Sequence, residues 1–153
     1  MNRAFKQSLA LIAVFATAPA IAETRPGDVK VDDMMVAEPI AEERGDPAEG
    51  RKVFADRGLG NCLACHVNAD LKGELFQGNV GPAMDGVAGR WEPAQLRAIV
   101  VNAKKVFGDQ TIMPGFYTLD VGVDVAEKFK GKTILSAQQV EDVVAYLETL
   151  KSE

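Results

Sequence analysis

Both cysteines of the chain and its only histidine fall within one short run, Cys62-Leu63-Ala64-Cys65-His66. Two thiols and an imidazole held in a single turn must share one structural task, and this limits the chain more than any other feature. Three tasks can be set aside. A structural zinc site takes four Cys or His ligands, commonly from two paired clusters, and no further Cys or His is present. A thioredoxin-like C-x-x-C needs a βαβ setting. Here Gly58-Leu59-Gly60-Asn61 precedes the pair and a polar, Gly-rich stretch follows it, with no strand pattern in either flank. A plain disulfide between the two cysteines leaves His66 without a role.

What remains is the C-x-x-C-H signature of covalent haem c attachment. A two-residue gap on a curving backbone sets both thiols against the two vinyl groups of a porphyrin, and the next residue points its imidazole at the iron from one face. Cys62 and Cys65 are therefore expected to bind one haem covalently, and His66 to be its proximal axial ligand. Both thiols are then consumed and no second histidine is available, so the chain has no Cys–His nucleophile pair. Covalent catalysis by its own side chains is not expected.

The opposite axial position falls to Met, Lys, an amine terminus, water or nothing. A thioether there raises the reduction potential by favouring ferrous iron. Of the five methionines, Met1 belongs to the leader described below, and Met34 and Met35 lie in an acidic N-terminal segment, which leaves Met84 and Met113. Met113 is the expected ligand. It precedes Pro114-Gly115, and a residue before proline is pushed toward extended geometry, on a loop that can turn a side chain inward. It also lies 47 residues beyond His66, enough chain to pass around a haem. Met84, following Gly81-Pro82-Ala83, is expected to line an apolar pocket as a flexible packing residue. Arg90 and Trp91 can be read as propionate partners or as an exposed arginine beside a packed tryptophan.

Residues 1–22 read as an export signal: Arg3 and Lys6, an apolar run from Leu9 to Ala18, then the small-residue site Ala20-Ile21-Ala22. Cleavage after Ala22 and a periplasmic location are expected; an uncleaved signal anchor is the alternative. The apolar run falls short of the roughly 20 residues of a spanning helix, and no other stretch could span, so no membrane insertion is expected after cleavage. Loss of Arg3 and Lys6 leaves 15 basic against 22 acidic residues, a net −7, of which residues 23–50 hold −6. An acidic balance argues against nucleic acid and anionic membrane surfaces as partners. Residues 23–45 mix acids, prolines and isolated apolar residues without a sustained period, which reads as an extended acidic arm or linker rather than core. Residues 46–153 read as one domain.

Within that domain three helices are legible. Asp46-Pro47-Ala48-Glu49 supplies an N-cap, a first-turn proline and a capping-box acid for a helix to about Ala55, with Gly50 and Phe54 on one face. Glu92 or Pro93 opens a second helix, with Leu96, Ile99, Val100 and Ala103 at helical spacing, ending before Gly108. Ser136 and Gln139 form a capping box for a third, which buries Val140, Val143, Val144 and Leu147 with Tyr146 flanking that face. The first and last helices are expected to pack together, Gly50 permitting close approach, and to brace the haem-binding loop. Val121, Val123 and Val125 alternate with polar residues; a surface loop is favoured over a short strand. Lys104, Lys105 and the lysines at 128 to 132 are read as solvated faces. The expected class is all-α.

From about residue 46 to 150 the arrangement resembles class I c-type cytochromes. Gly60-Asn61 with the haem motif, Gly78-Asn79-Val80-Gly81-Pro82, Thr111-Ile112-Met113-Pro114 and the run from Lys132 to Leu147 are similar to the SoxX family, the monohaem cytochromes of periplasmic thiosulfate oxidation. The resemblance implies a class I cytochrome c fold with an extended N-terminal arm and a heterodimer with a SoxA-like cytochrome. It also implies the activity of an L-cysteine S-thiosulfotransferase, in which thiosulfate is joined to a cysteine of the carrier SoxY. This chain would accept the released electrons and pass them to a downstream acceptor, without being catalytic on its own. By carry-over Cys62 and Cys65 hold the haem, His66 is the proximal and Met113 the distal ligand. Two other readings use the same haem residues: a diffusing electron shuttle for an oxidase or dehydrogenase, and a ligand-binding or sensor haem protein, against which Met113 argues. Apart from Arg57, residues 57–67 are uncharged, so the expected haem edge lacks a basic ring for transient steering. A lasting apolar interface is the expectation.

Overall fold

A computed structural model describes residues 22–120 and 122–151. The expected leader, apart from Ala22, lies outside the described residues, as does Val121. The described residues hold three α-helices, α1 (Pro47–Ala55), α2 (Pro93–Phe107) and α3 (Ala137–Leu147), joined by long connections carrying short 3₁₀ turns. Among the described residues there is no strand, only an isolated bridge between Asp32 and Met35. The all-α expectation holds, and the segment at 122–126 is irregular before a 3₁₀ turn at Glu127–Phe129.

Local chemistry sets each helix start. On α1 the Asp46 carboxylate accepts from the Ala48 N–H at 2.8 Å and Pro47 occupies the first turn. The expected capping box does not form. The Asp46 N–H that Glu49 would accept from donates instead to Asp142 Oδ1 on α3, at 2.9 Å, and Glu49 pairs with Lys52 three residues on, at 2.6 Å. On α3 the box is complete: the Gln139 N–H donates to Ser136 Oγ at 3.2 Å and the Ser136 N–H to Gln139 Oε1 at 2.9 Å.

α1 and α3 lie against each other with the contact centred on Gly50, where a Cβ would overlap the Asp142 carbonyl oxygen. Val140, Val143, Val144 and Leu147 are buried as expected. Tyr146 does not merely flank them. It is buried too, edge-on to Phe54 at 5.7 Å between ring centroids, because α3 packs on both α1 and α2 and so covers more than a single apolar stripe.

The N-terminal arm departs from its reading as non-core chain. It is extended, but Val36, Ile40 and Ala41 are buried in the same core as the helices. Its anchor is an ion pair between α2 and α3: Arg97 Nε donates to Glu141 Oε1 at 2.7 Å and Nη2 to Oε2 at 3.0 Å. Arg97 Nη1 then donates to the Val36 carbonyl at 3.0 Å, and the Ile40 N–H donates to Glu141 Oε1 at 2.9 Å. An extended segment that plugs single side chains into gaps has no period, so a pattern search does not see it.

α2 is not straight. Asn102 leaves helical geometry (φ −159°, ψ 91°), and its side-chain oxygen accepts from the Lys104 N–H at 3.2 Å. The carbonyls of Val100 and Val101 accept instead from the N–H groups of Phe116 and Tyr117, at 3.2 and 3.1 Å. Asparagine competing with the backbone for its own hydrogen bonds is the local cause.

Candidate functional site

α1 ends at Ala55, and the chain reaches Asn61 in the left-handed region (φ 50°) before a 3₁₀ turn at Cys62–Ala64. The N–H groups of Cys65 and His66 both donate to the Cys62 carbonyl, at 3.1 and 3.0 Å. That tight turn puts two free thiols and the imidazole on the wall of one cavity of about 510 Å³, within the roughly 300–1,000 Å³ typical of cofactor pockets. Burial pushes the Cys62 thiol up to about 12, with a smaller contribution from Cys65.

His66 is oriented by its neighbours. Its Nδ1 lies 2.7 Å from the Pro82 carbonyl oxygen. A carbonyl only accepts, so Nδ1 carries the proton and Nε2 keeps its lone pair, the form a histidine takes as a metal ligand. Gly81 backs the ring so closely that a Cβ there would collide with it. The segment that carries Gly81 runs along the motif, the N–H groups of Gly78, Gly81 and Met84 donating to the carbonyls of Leu63, Cys65 and Val67, each at 2.8 Å. In the sequence Gly81 and Pro82 stand out only as part of a segment that carries the family resemblance; their place against the His66 ring is set by the fold.

The remaining walls come from α2 and from the loop after it, including Leu96, Ile99, Val100, Ile112, Met113 and Phe116. Both Met84 and Met113 line the cavity, Met84 buried and Met113 half-buried. Arg90 and Trp91 lie on the same wall. The Arg90 guanidinium donates to the backbone carbonyls of Asp85 and Ala83, at 2.7 and 2.6 Å, and so clamps the loop bearing Met84. Trp91 packs edge-on to Phe107 at 5.8 Å. Arg90 is exposed and Trp91 half-buried, and both stand on the cavity wall that the propionate reading also requires.

Behind the haem motif, a polar cluster pins the following loop. The Asn68 side chain, fully buried, donates to the Tyr146 hydroxyl at 2.9 Å, which donates to Asp70 at 2.8 Å. Arg51 Nε holds the same carboxylate at 2.8 Å. The hydrogen bonds from Tyr146 and Arg51 hold Asp70 below the usual carboxylate range. Burial, then the bond to Asp70, raises the Tyr146 hydroxyl above its ordinary value. Burial, then Glu23, likewise pushes Tyr117 up to about 12.

These are the only two tyrosines of the chain, and both favour the neutral phenol in the folded state. The stability they contribute is complete below the unfolded value of about 10 and is lost as pH rises through the folded values. The phenolate difference absorbance of the folded protein should therefore stay low at pH 10 and rise only near pH 12 and above, together with a fall in unfolding free energy that begins above pH 10.

A cavity with apolar walls, two thiols on one turn, an imidazole in ligand tautomer and two thioethers within reach fits a covalently attached haem. Among the described residues no group of three or more His, Cys, Asp or Glu side chains converges as a metal-ion site. Nor is any described helix long and apolar enough to cross a membrane.

The cytochrome c family model matches residues 47–151. The crystal structure of SoxXA from P. pantotrophus is 42% identical, with a TM-score of 0.79, over 86% of this chain and 100% of that chain. The X-ray structure of ferric cytochrome c-550 from Paracoccus versutus matches at 22% identity and a TM-score of 0.38, over 71% of this chain and 99% of that chain. The comparison with curated proteins finds no match. With the family model spanning α1 to α3 and the likeness to SoxXA covering most of the chain at 42% identity, the chain belongs to the cytochrome c family as a SoxX-type cytochrome with the class I fold and a covalently bound haem c.

Proposed function

We propose that this chain is the electron-accepting subunit of a periplasmic SoxA–SoxX complex, an L-cysteine S-thiosulfotransferase that joins thiosulfate to a cysteine of the carrier SoxY. The observation that carries the reading is the 42% identity to SoxXA over the whole of that chain, taken with a cavity whose protein groups are suited to holding a haem and not to acid–base work. Bound there, haem c supplies one-electron redox chemistry. The protein's part is to bind, orient and exclude water. Cys62 and Cys65 would anchor the group on one turn, and His66, its Nδ1 proton committed to Pro82, would offer Nε2 to the iron. Met113, on the same cavity wall, would offer a thioether. The apolar side chains of Leu96, Val100 and Phe116, all buried, keep the site dry.

Apart from Arg57, residues 57–67 around the motif are uncharged, which suits a lasting partner better than electrostatic encounter and supports a stable heterodimer over a diffusing shuttle. Export and cleavage after Ala22 place the chain in the periplasm on this reading, and the intact mass of the purified protein checks the cleavage site.

Purified holoprotein should be reduced by thiosulfate only when a SoxA-type partner and the SoxY-type carrier are both present. Equal reduction without the partner, or strong ionic-strength dependence of electron transfer to an unrelated oxidase, would instead support the shuttle. The ligand assignment has its own check. Met113→Ala should abolish the near-infrared sulfur-to-iron band of the ferric protein and open the ferrous protein to carbon monoxide at neutral pH, whereas Met84→Ala should retain the band. The reverse pattern would move the ligand to Met84.

A further inference from the structure

We propose that Lys104 is a positioning residue for Met113, holding the ligand loop against α2 so that the thioether stays at the haem site; this rests on the reading of Met113 as the distal ligand. The loop after α2 is tied to that helix at two places. On the far side of Met113 the tie is backbone to backbone, Phe116 and Tyr117 donating to the carbonyls of Val100 and Val101 that the kink at Asn102 leaves open. On the near side it is one side chain. Lys104 Nζ donates to the Thr111 carbonyl at 2.6 Å and to the Asp109 carbonyl at 3.2 Å. The span between these ties is Ile112 to Gly115, with Met113 two residues from the lysine-held carbonyl and three from Phe116.

The kink makes the lysine available. The Asn102 side chain takes the Lys104 N–H, at 3.2 Å, and the last turn continues to Gly108, whose carbonyl accepts from the Thr111 N–H at 3.1 Å. Lys104 is thereby half-buried and directed along the loop, while its neighbour Lys105 is exposed. An ammonium-to-carbonyl bond is a charge-assisted one and among the stronger tethers available to a loop. Without it, residues 108 to 112 exchange that bond for water and gain conformational freedom, and the local concentration of the thioether at the iron site falls. Both lysines sit in the last turn of α2 and interact similarly with the helix dipole, so Lys105 separates a tether from a general charge effect.

The test compares Lys104→Met, Lys104→Arg and Lys105→Met holoproteins, with Met113→Ala as reference. Two signals are read: the near-infrared sulfur-to-iron band of the ferric form and the rate of carbon monoxide binding to the ferrous form. Lys104→Met, similar in length but without a donor, should weaken the band and speed carbon monoxide binding by about tenfold, the factor that corresponds to one charge-assisted hydrogen bond. Lys104→Arg should keep most of both signals, and Lys105→Met all of them. If Lys104→Met yields no holoprotein, Lys104→Gln, which keeps a neutral donor, should show a smaller change in the same direction. Wild-type band and rate in the donor-less variant, or equal effects in Lys104→Met and Lys105→Met, overturn the positioning role. A band that survives Met113→Ala overturns the ligand assignment beneath it, which is a separate result.

Discussion

Arg97→Ala is expected to cost about 3–5 kcal/mol of unfolding free energy, because removing one partner of a buried ion pair leaves the other charge uncompensated. The Arg97 and Glu141 side chains are only 9 and 5% exposed. Glu141 would be left with a single backbone donor, the Ile40 N–H, and the Val36 carbonyl would lose its guanidinium. Glu141→Ala should fall in the same range for the converse reason. The double replacement Arg97→Met with Glu141→Leu should cost less than either alanine variant, since the desolvation penalty goes together with the attraction, the remaining loss coming from the Val36 carbonyl and the Ile40 N–H left without their partners. Denaturant melts of the four proteins measure this. The alanine variants should also be cut faster by protease between residues 25 and 44, where the arm has lost its anchor; equal cleavage in wild type and variants would show that the arm is held by other contacts.

Gly50→Ala is the second large effect, and its sign opposes the usual rule. In a helix interior alanine is favoured over glycine by about 0.8–1.0 kcal/mol. Here the added Cβ would fall on the Asp142 carbonyl oxygen and close to the Tyr146 Cβ, so α1 and α3 must move apart. Overpacking of this kind costs about 1–3 kcal/mol and sometimes more, and here the obstacle is backbone that cannot rotate away. Separation also loosens the edge-to-face contact of Phe54 with Tyr146 and the bond from the Asp46 N–H to Asp142, 2.9 Å. A net loss of about 2 kcal/mol is expected, with a lower thermal midpoint and reduced yield of holoprotein, because α1 leads directly into the turn that carries Cys62. A stability equal to or above wild type would mean that the helices do not approach as closely as the structure has them.

The parts of the site that were legible share a property: their signals lie close together along the chain. Cys62, Cys65 and His66 announce a haem through spacing alone, Ser136 with Gln139 announces a helix start, and Pro93 another. Gly50 was readable as a contact point because it shares a face with Phe54. The capping box expected at Glu49 failed because the Asp46 N–H it needs is taken by Asp142, 96 residues away, which leaves Glu49 to Lys52.

What stayed hidden depends on residues far apart in sequence. Nothing beside Asn68 indicates that Tyr146, 78 positions away, will satisfy its amide. Val36 and Ile40 carry no period, and they join the core where Arg97 and Glu141, 44 residues apart, meet and bond to the arm's backbone, as the Ala94 carbonyl also does. The lysine at 104 looked like solvated charge until the bend at Asn102 turned it along the loop. The linear chain alone therefore determined the three helices and the family resemblance, and pointed to Cys62, Cys65 and His66 as the attachment point, since covalent chemistry and helix capping act over a few residues. Tertiary structure alone decided which tautomer His66 holds, that the arm joins the core and how the Met113 loop is tied down, because those outcomes rest on desolvated partners that only the folded chain brings within hydrogen-bonding distance.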